Sequence, residues 1–282
     1  MDLTAGAPFP TSDADDRETP LNALQDVDIA LQAAAAMMGK VRSTLRIYDP
    51  YYCAGALKNR LVQLGYSRQF IHNDNVDCYS AQKSNGVPPF DFILTNPPYS
   101  GDHIQRSLTF ACRSQKPWAF LLPSHIMLRP WCQELFSQRK VFYLVPHSRY
   151  SFEVCGGRGG GEGTKTQPPG QQHVPLVTMW YICVGEEGAG PSLLKQLWQD
   201  CDRAKSATLA GSFEELPRRV RKLLPFVQVC WCGSIRDGHV VVDGMSICVC
   251  VCVYIYVRLS VCVYVTLSWL RCGGVMTGEC AE

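Results

Sequence analysis

The chain has 282 residues, 46 % hydrophobic and 18 % charged, with a formal net charge of +2. That is enough apolar material for one large domain, or a domain with appendages, and too much for a disordered chain. The charge balance neither requires nor excludes a polyanionic partner.

Residues 1–20 are polar and acidic, with "SDADDRE" near their centre. They lack the basic start and apolar run of a signal peptide, so the segment is expected to be disordered and the protein intracellular, with the compartment left open. Leu21 to Met38 carries apolar residues at 21, 24, 27, 31, 35 and 38 and stops at Gly39, the pattern of an amphipathic helix. "LRIYDP" (Leu45 to Pro50) reads as a buried strand, and Leu57, Leu61 and Leu64 mark a helix closing at Gly65. "RQFIHN" (Arg68 to Asn73) and Phe90 to Thr95 read as strands, and Ile104, Leu108 and Ala111 as a helical face. "WAFLLP" (Trp118 to Pro123), "VFYLVP" (Val141 to Pro146) and "PLVTMWYICV" (Pro175 to Val184) are further strands, with a helix over Trp131 to Gln138.

Strands alternating with helices call for an α/β fold with a mainly parallel sheet covered on both faces. A loop rather than a helix joins the last two strands, so they should pair antiparallel. That loop, residues 153–173, is rich in Gly, Pro and Gln and cannot bury a core. The expected organisation is a domain over 21–190, a helical extension over 191–228 ending in the basic "PRRVRKLL", and a tail over 229–282.

Eight of the fifteen cysteines fall in that tail. No C-x-x-C pair occurs, so no metal site is expected. "CVCVCVYIYVRLSVCVYV" (Cys248 to Val265) has the Cys/Val alternation that a repeated GT dinucleotide encodes, and it reads as translated repeat sequence. The alternatives are an aggregation-prone strand and, over residues 246–270, a membrane span. Apart from that span, no membrane association is expected.

Two stretches carry candidate chemistry. "DPYYCAG" (Asp49 to Gly55) follows a strand and opens a helix, at the sheet edge where α/β folds bind ligands. Small residues Ala54 and Gly55 let the backbone approach a ligand, and Cys53 stands where glycine would be easier. Asn73 or Asp74, after the second strand, would hold a ribose, and Asp77 a base. The second stretch is "TNPPY", ending in Asn96, Pro97, Pro98 and Tyr99. The two prolines fix their own φ, lack N–H groups and extend the residues before them. Backbone carbonyls and the Asn96 amide oxygen then face outward as acceptors for both hydrogens of a planar –NH₂ group, and Tyr99 offers a stacking face.

With these motifs the chain resembles the class I S-adenosylmethionine-dependent methyltransferases of the (Asn/Asp)-Pro-Pro-(Tyr/Phe) type. These comprise the adenine amino-methyltransferases of DNA and RNA and the glutamine methyltransferases of release factors. The resemblance covers about Leu21 to Val184. "TNPPY" matches fully, whereas in "DPYYCAG" Cys53 replaces the first glycine of the family's Asp-Pro-aromatic-x-Gly-x-Gly.

The resemblance implies a Rossmann-like seven-stranded sheet with its last pair antiparallel, and "NVDCYSAQ" standing in for one strand. It implies S-adenosylmethionine lying over Asp49, Pro50, Tyr51, Cys53, Ala54 and Gly55, with its ribose on Asn73 or Asp74 and its adenine on Asp77. Asn96, Pro97, Pro98 and Tyr99 would hold the methyl acceptor. Arg149 and Tyr150, with Arg158, Lys165 and His173 beyond them, would face the substrate. The expected acceptor is an exocyclic amine of nucleic acid, single-stranded or with its base flipped out. A protein glutamine is the alternative, and an inactive copy the third.

Overall fold

The computed structural model describes residues 8–12, 15–154, 172–173, 177–185, 189–199, 206–222 and 224, and in the tail 235–236, 239–242, 245–248, 268–271 and 274–277. The chain divides into two units, residues 1–225 and 226–282.

A seven-stranded mixed sheet organises the first unit. In spatial order its strands are β10 (Ala207–Ala210), β6 (Phe142–Pro146), β9 (Thr178–Cys183), β5 (Trp118–Pro123), β4 (Phe92–Thr95), β2 (Ile47–Tyr48) and β3 (Ile71–His72). β3, β2, β4 and β5 pair in parallel. β9 runs antiparallel to both β5 and β6, as its loop connection predicts, so β6 again points the same way as β5. The carboxyl ends of β2, β4, β5 and β6 therefore share one edge of the sheet.

Alternate residues along the strands serve opposite faces. Ala119 and Leu121 of β5, with Phe92, Leu94, Trp180 and Ile182, meet α1 (Leu21–Met37), α2 (Ala56–Gln63) and α6 (Ala189–Gln199). Trp118, Phe120 and Leu122, with Ile93, Met179 and Tyr181, meet α4 (His103–Ser114) and α5 (Pro130–Phe136) on the other face. The result is three layers, α/β/α.

The periodic helices appear where the apolar spacing puts them. α1 ends at Gly39 with φ +61° and α2 at Gly65 with φ +90°, left-handed positions that glycine fills without a Cβ clash. Ile104, Leu108 and Ala111 are all buried along α4.

Four expectations change. "NVDCYSAQ" replaces no strand; it contains α3 (Cys78–Lys83), whose N-cap is Asp77. Residues 191–228 are not a purely helical extension, because β10 pairs antiparallel with β6 and completes the main sheet. Besides α6, the segment contains the short α7 (Arg218–Arg221). The described part of residues 1–20 is not loose: β1 (Arg17–Glu18) pairs with β7 (Ser151–Val154), and Glu18 and Thr19 are buried. Tyr150 does not face a substrate. It is 3 % exposed in the core, where its hydroxyl donates to Asp26 of α1 at 2.7 Å.

Of the loop after β7, β8 (Gln172–His173) pairs with it, while Arg158 and Lys165 lie outside the described residues. Arg149 is exposed. The second unit contributes two antiparallel groups, β11 (Ile235–Arg236), β12 (His239–Val242) and β13 (Met245–Cys248), then β14 (Ser268–Arg271) and β15 (Gly274–Thr277). Most of residues 246–270 lies outside the described residues, and no described helix is long and apolar enough to cross a membrane.

Candidate active site

β2 and β4 are neighbours in parallel register, Tyr48 opposite Ile93, so the two motif loops leave the sheet side by side. A buried hydrogen bond joins them: Thr95 Oγ1, one residue before Asn96, donates to Asp49 Oδ1 at 2.5 Å. The same oxygen accepts from the Tyr51 N–H at 3.0 Å, which fixes the first turn of the Asp49–Gly55 loop. Asp49 is 6 % exposed, and burial pushes its carboxyl up to about 8 against the opposing pull of those two hydrogen bonds. Pro50 is buried beside it.

Next in the loop, Cys53 has φ +50° and Gly55 φ +80°. Cys53 thus occupies a left-handed position where a Cβ is unfavourable by about 1–2 kcal/mol. At Gly55 a Cβ would in addition lie 2.8 Å from the Tyr52 ring, so the half-buried Tyr52 side chain would have to shift. Gly55→Ala is therefore expected to lower stability by about 2 kcal/mol, whereas Cys53→Gly should leave it level or raise it. Urea denaturation midpoints of the two variants test this opposite pair.

The Asn-Pro-Pro-Tyr corner is equally constrained. Pro97 and Pro98 are buried. The Tyr99 hydroxyl lies 2.9 Å from Asn96 Oδ1 and 3.0 Å from the Leu121 carbonyl on β5, and burial raises its pKa. The Asn96 amide nitrogen donates to the Arg17 carbonyl at 3.4 Å. Asn96 and Pro98 line one small cavity, of about 50 Å³, together with Tyr51, Tyr52, Cys53 and Val76. Asn96 thus lines the same space as Tyr51, Tyr52 and Cys53 of the Asp49–Gly55 loop, with its Oδ1 toward the Tyr99 hydroxyl and its amide nitrogen toward the Arg17 carbonyl.

No protein-family model matches this chain, and neither does any curated protein.

Three expected ligand contacts have other duties. Asn73 is fully buried, and its amide nitrogen donates to the Tyr51 carbonyl at 3.0 Å, bracing the loop from behind, while Asn73 Oδ1 has no partner among the described residues. Asp77 caps α3: its Oδ1 accepts from the Tyr79 and Ser80 N–H groups and its Oδ2 from the Ser80 hydroxyl, which hold its carboxyl below the usual carboxylate range. Asp74 is exposed and pairs with Lys58 at 2.7 Å.

Sequence reasoning missed two features here. One is an aromatic box. Tyr51 and Tyr79 meet hydroxyl to hydroxyl at 2.9 Å, and Tyr79 also bonds His103 Nδ1. His103 Nε2 donates to the Pro10 carbonyl at 2.9 Å, so in the neutral imidazole Nδ1 accepts from Tyr79 and the donors run Tyr51, Tyr79, His103. Phe9 fills the box, its ring centroid 5.4–5.7 Å from all three rings, and the Arg106 guanidinium lies 3.5 Å over the Tyr79 ring. The other missed feature is the segment 15–18, which touches both loops. Neither carried a sequence signal beyond "SDADDRE", whose acids read as a solvated tail.

Proposed function

We propose that the protein is an S-adenosylmethionine-dependent methyltransferase acting on an amino nitrogen, with an exocyclic amine of nucleic acid as its acceptor. The observation that carries this reading is the shared cavity. A glycine-containing loop at the end of β2 and an Asn-Pro-Pro-Tyr corner at the end of β4 open onto one space, and Thr95 ties them at Asp49. The parallel half of the sheet and the antiparallel pairing of β9 and β6 fit the Rossmann-like fold of such enzymes.

The residues present fit the cofactor chemically. The left-handed turn at Cys53 would let the backbone approach a ligand in this cavity, and Tyr51 and Tyr52 would supply flat walls. With residues 8–12 in place, however, the open volume is far below the roughly 300 Å³ that small-molecule sites occupy. Withdrawal of Phe9 from the aromatic box is the movement that makes room.

S-adenosylmethionine, when bound, supplies an electrophilic methyl group on sulfur. The chain's own part is positioning. An amine conjugated to a ring or carbonyl is a weak nucleophile. Asn96 Oδ1 and the Pro97 carbonyl accept its two N–H groups, enrich the nitrogen and aim its lone pair. Tyr99, anchored by its hydroxyl, keeps Asn96 Oδ1 in place. No side chain need act as a strong base, because the nitrogen becomes acidic only as the methyl arrives.

The position of α7 favours nucleic acid over a protein amide. Arg219 donates to the carbonyls of Pro146, at 2.6 Å, and His147, at the end of β6. That sets α7 at the same sheet edge as Asn96, three strands or about 14 Å away. Arg218, Arg221 and Lys222 are exposed there, and their positive charge supports contacts to phosphates. Radiolabelled methyl transfer to single-stranded DNA, single-stranded RNA and a Gly-Gly-Gln peptide tests the reading. Labelled oligonucleotide, with affinity that falls as salt rises, is expected. Labelled peptide alone would shift the acceptor to glutamine, and no binding of S-adenosylmethionine by calorimetry would remove the reading.

A further inference from the structure

We infer that residues Asp15 to Glu18 form a strap that positions both halves of the site, Glu18 acting on the loop after β2 and Asp15 on the Asn-Pro-Pro-Tyr corner. This rests on the methyltransferase reading for its catalytic consequence, though not for its structural one.

At one end of the strap, Glu18 Oε1 accepts the N–H groups of Ala54 at 2.8 Å and Ala56 at 3.1 Å. These belong to the loop and to the first turn of α2, where backbone donors lack partners within the helix. Glu18 is 6 % exposed and is held from behind. Arg60 of α2 lies 3.9 Å from Glu18 Oε2, donates to the Thr19 carbonyl at 2.5 Å and pairs with Glu153 of β7 at 2.7 Å.

At the other end, Asp15 Oδ1 accepts the N–H groups of Tyr99 at 2.7 Å and Ser100 at 3.2 Å, and Asp15 Oδ2 accepts the Ser100 hydroxyl at 2.5 Å. These donors follow two prolines that offer none, so Asp15 satisfies the first amides available after the corner. Between the two carboxylates, the Arg17 carbonyl accepts from the Asn96 amide. Four residues of chain, at most about 10 Å end to end for extended backbone, thus fix the loop and the corner with respect to each other. A displacement of about 1 Å in such a geometry lowers a rate by up to about 10²-fold.

The test uses the full chain and four variants: Glu18→Ala, Glu18→Gln, Asp15→Ala and Asp15→Asn. Without cofactor, amide hydrogen exchange should quicken over residues 53–57 in Glu18→Ala and over residues 99–101 in Asp15→Ala, each without the other. With S-adenosylhomocysteine as probe, Glu18→Ala should weaken binding by about tenfold or more, and Glu18→Gln, which keeps an accepting oxygen, should restore it. Asp15→Ala should leave that affinity unchanged while lowering kcat by about tenfold or more, with recovery in Asp15→Asn. Exchange that rises over both segments together, or over neither, would overturn the strap. So would affinity and kcat falling in step with the thermal midpoint in all four variants. Should the wild-type chain bind no S-adenosylhomocysteine, the methyltransferase reading fails, and the exchange pattern still decides the strap.

Discussion

Asn96→Ala is expected to lower methyl transfer by about 10²–10³-fold while leaving S-adenosylmethionine affinity unchanged, the magnitude found when one preorganised hydrogen-bonding group is removed from a reacting centre. The variant is informative because it should fold. Tyr99 does not depend on Asn96, since its hydroxyl also lies 3.0 Å from the Leu121 carbonyl. The contact of the Asn96 amide with the Arg17 carbonyl is long, at 3.4 Å. Losing both bonds at a half-buried site costs about 1–2 kcal/mol. Asn96→Asp keeps an acceptor oxygen and should lose less rate than alanine. Single-turnover methylation, measured beside calorimetric cofactor binding, separates chemistry from affinity. Full activity in Asn96→Ala would remove the proposed role of the corner.

What the sequence revealed and what it hid divide along a physical line. Wherever burial alone sets the pattern, the residues are readable: the continuous apolar run Trp118 to Pro123 is β5, and the spacing of Ile104, Leu108 and Ala111 is the buried face of α4. The corner at Asn96 was readable because two prolines in succession have few conformations open to them. The polar residues after β3 were not. An asparagine there can face a ligand or brace the loop beneath it, and only the tertiary arrangement turns the Asn73 amide toward the Tyr51 carbonyl. Asp77 did carry a local signal, an aspartate three residues ahead of Ser80 in a helix-starting pattern, which marks an N-cap rather than a base contact. Tyr150 looks exposed beside Arg149, but its phenol pairs with Asp26, far away in sequence. β10 is four residues of weak strand propensity, stabilised by pairing with β6 across the chain. The strap is the extreme case. Its acids look solvated until folding brings them to the amides of Ala54, Ala56, Tyr99 and Ser100.

The stability of the protein is expected to fall between about pH 4 and pH 8 through Asp49, and Asp49→Asn is expected to flatten that slope. Burial raises the Asp49 carboxyl to about 8, hydrogen bonds from Thr95 and the Tyr51 N–H oppose the rise, and the charge of Glu18 adds to it. Asp91, at the opposite edge of the sheet, shows the contrasting case. It also suffers desolvation, yet the hydrogen bonds of Arg46 and Lys40 hold it below the usual carboxylate range. An unfolded aspartate releases its proton near pH 3.9, so between that value and about 8 the folded chain carries one proton more than the unfolded chain. Excess proton binding by the folded state means stability declines as pH rises through this window and levels off above it, by an amount on the order of 5–6 kcal/mol for the full shift. Asparagine keeps an oxygen for Thr95 and Tyr51 but does not titrate. Thermal midpoints of both proteins from pH 5 to 9 measure the difference, and parallel curves would refute it. The same carboxyl bears on the proposed function. A sulfonium cation nearby favours ionised Asp49, so affinity for S-adenosylmethionine should rise from pH 7 to 9 with release of a proton. S-adenosylhomocysteine, with a neutral sulfur, should show a flatter profile, and Asp49→Asn should erase the difference between the two ligands.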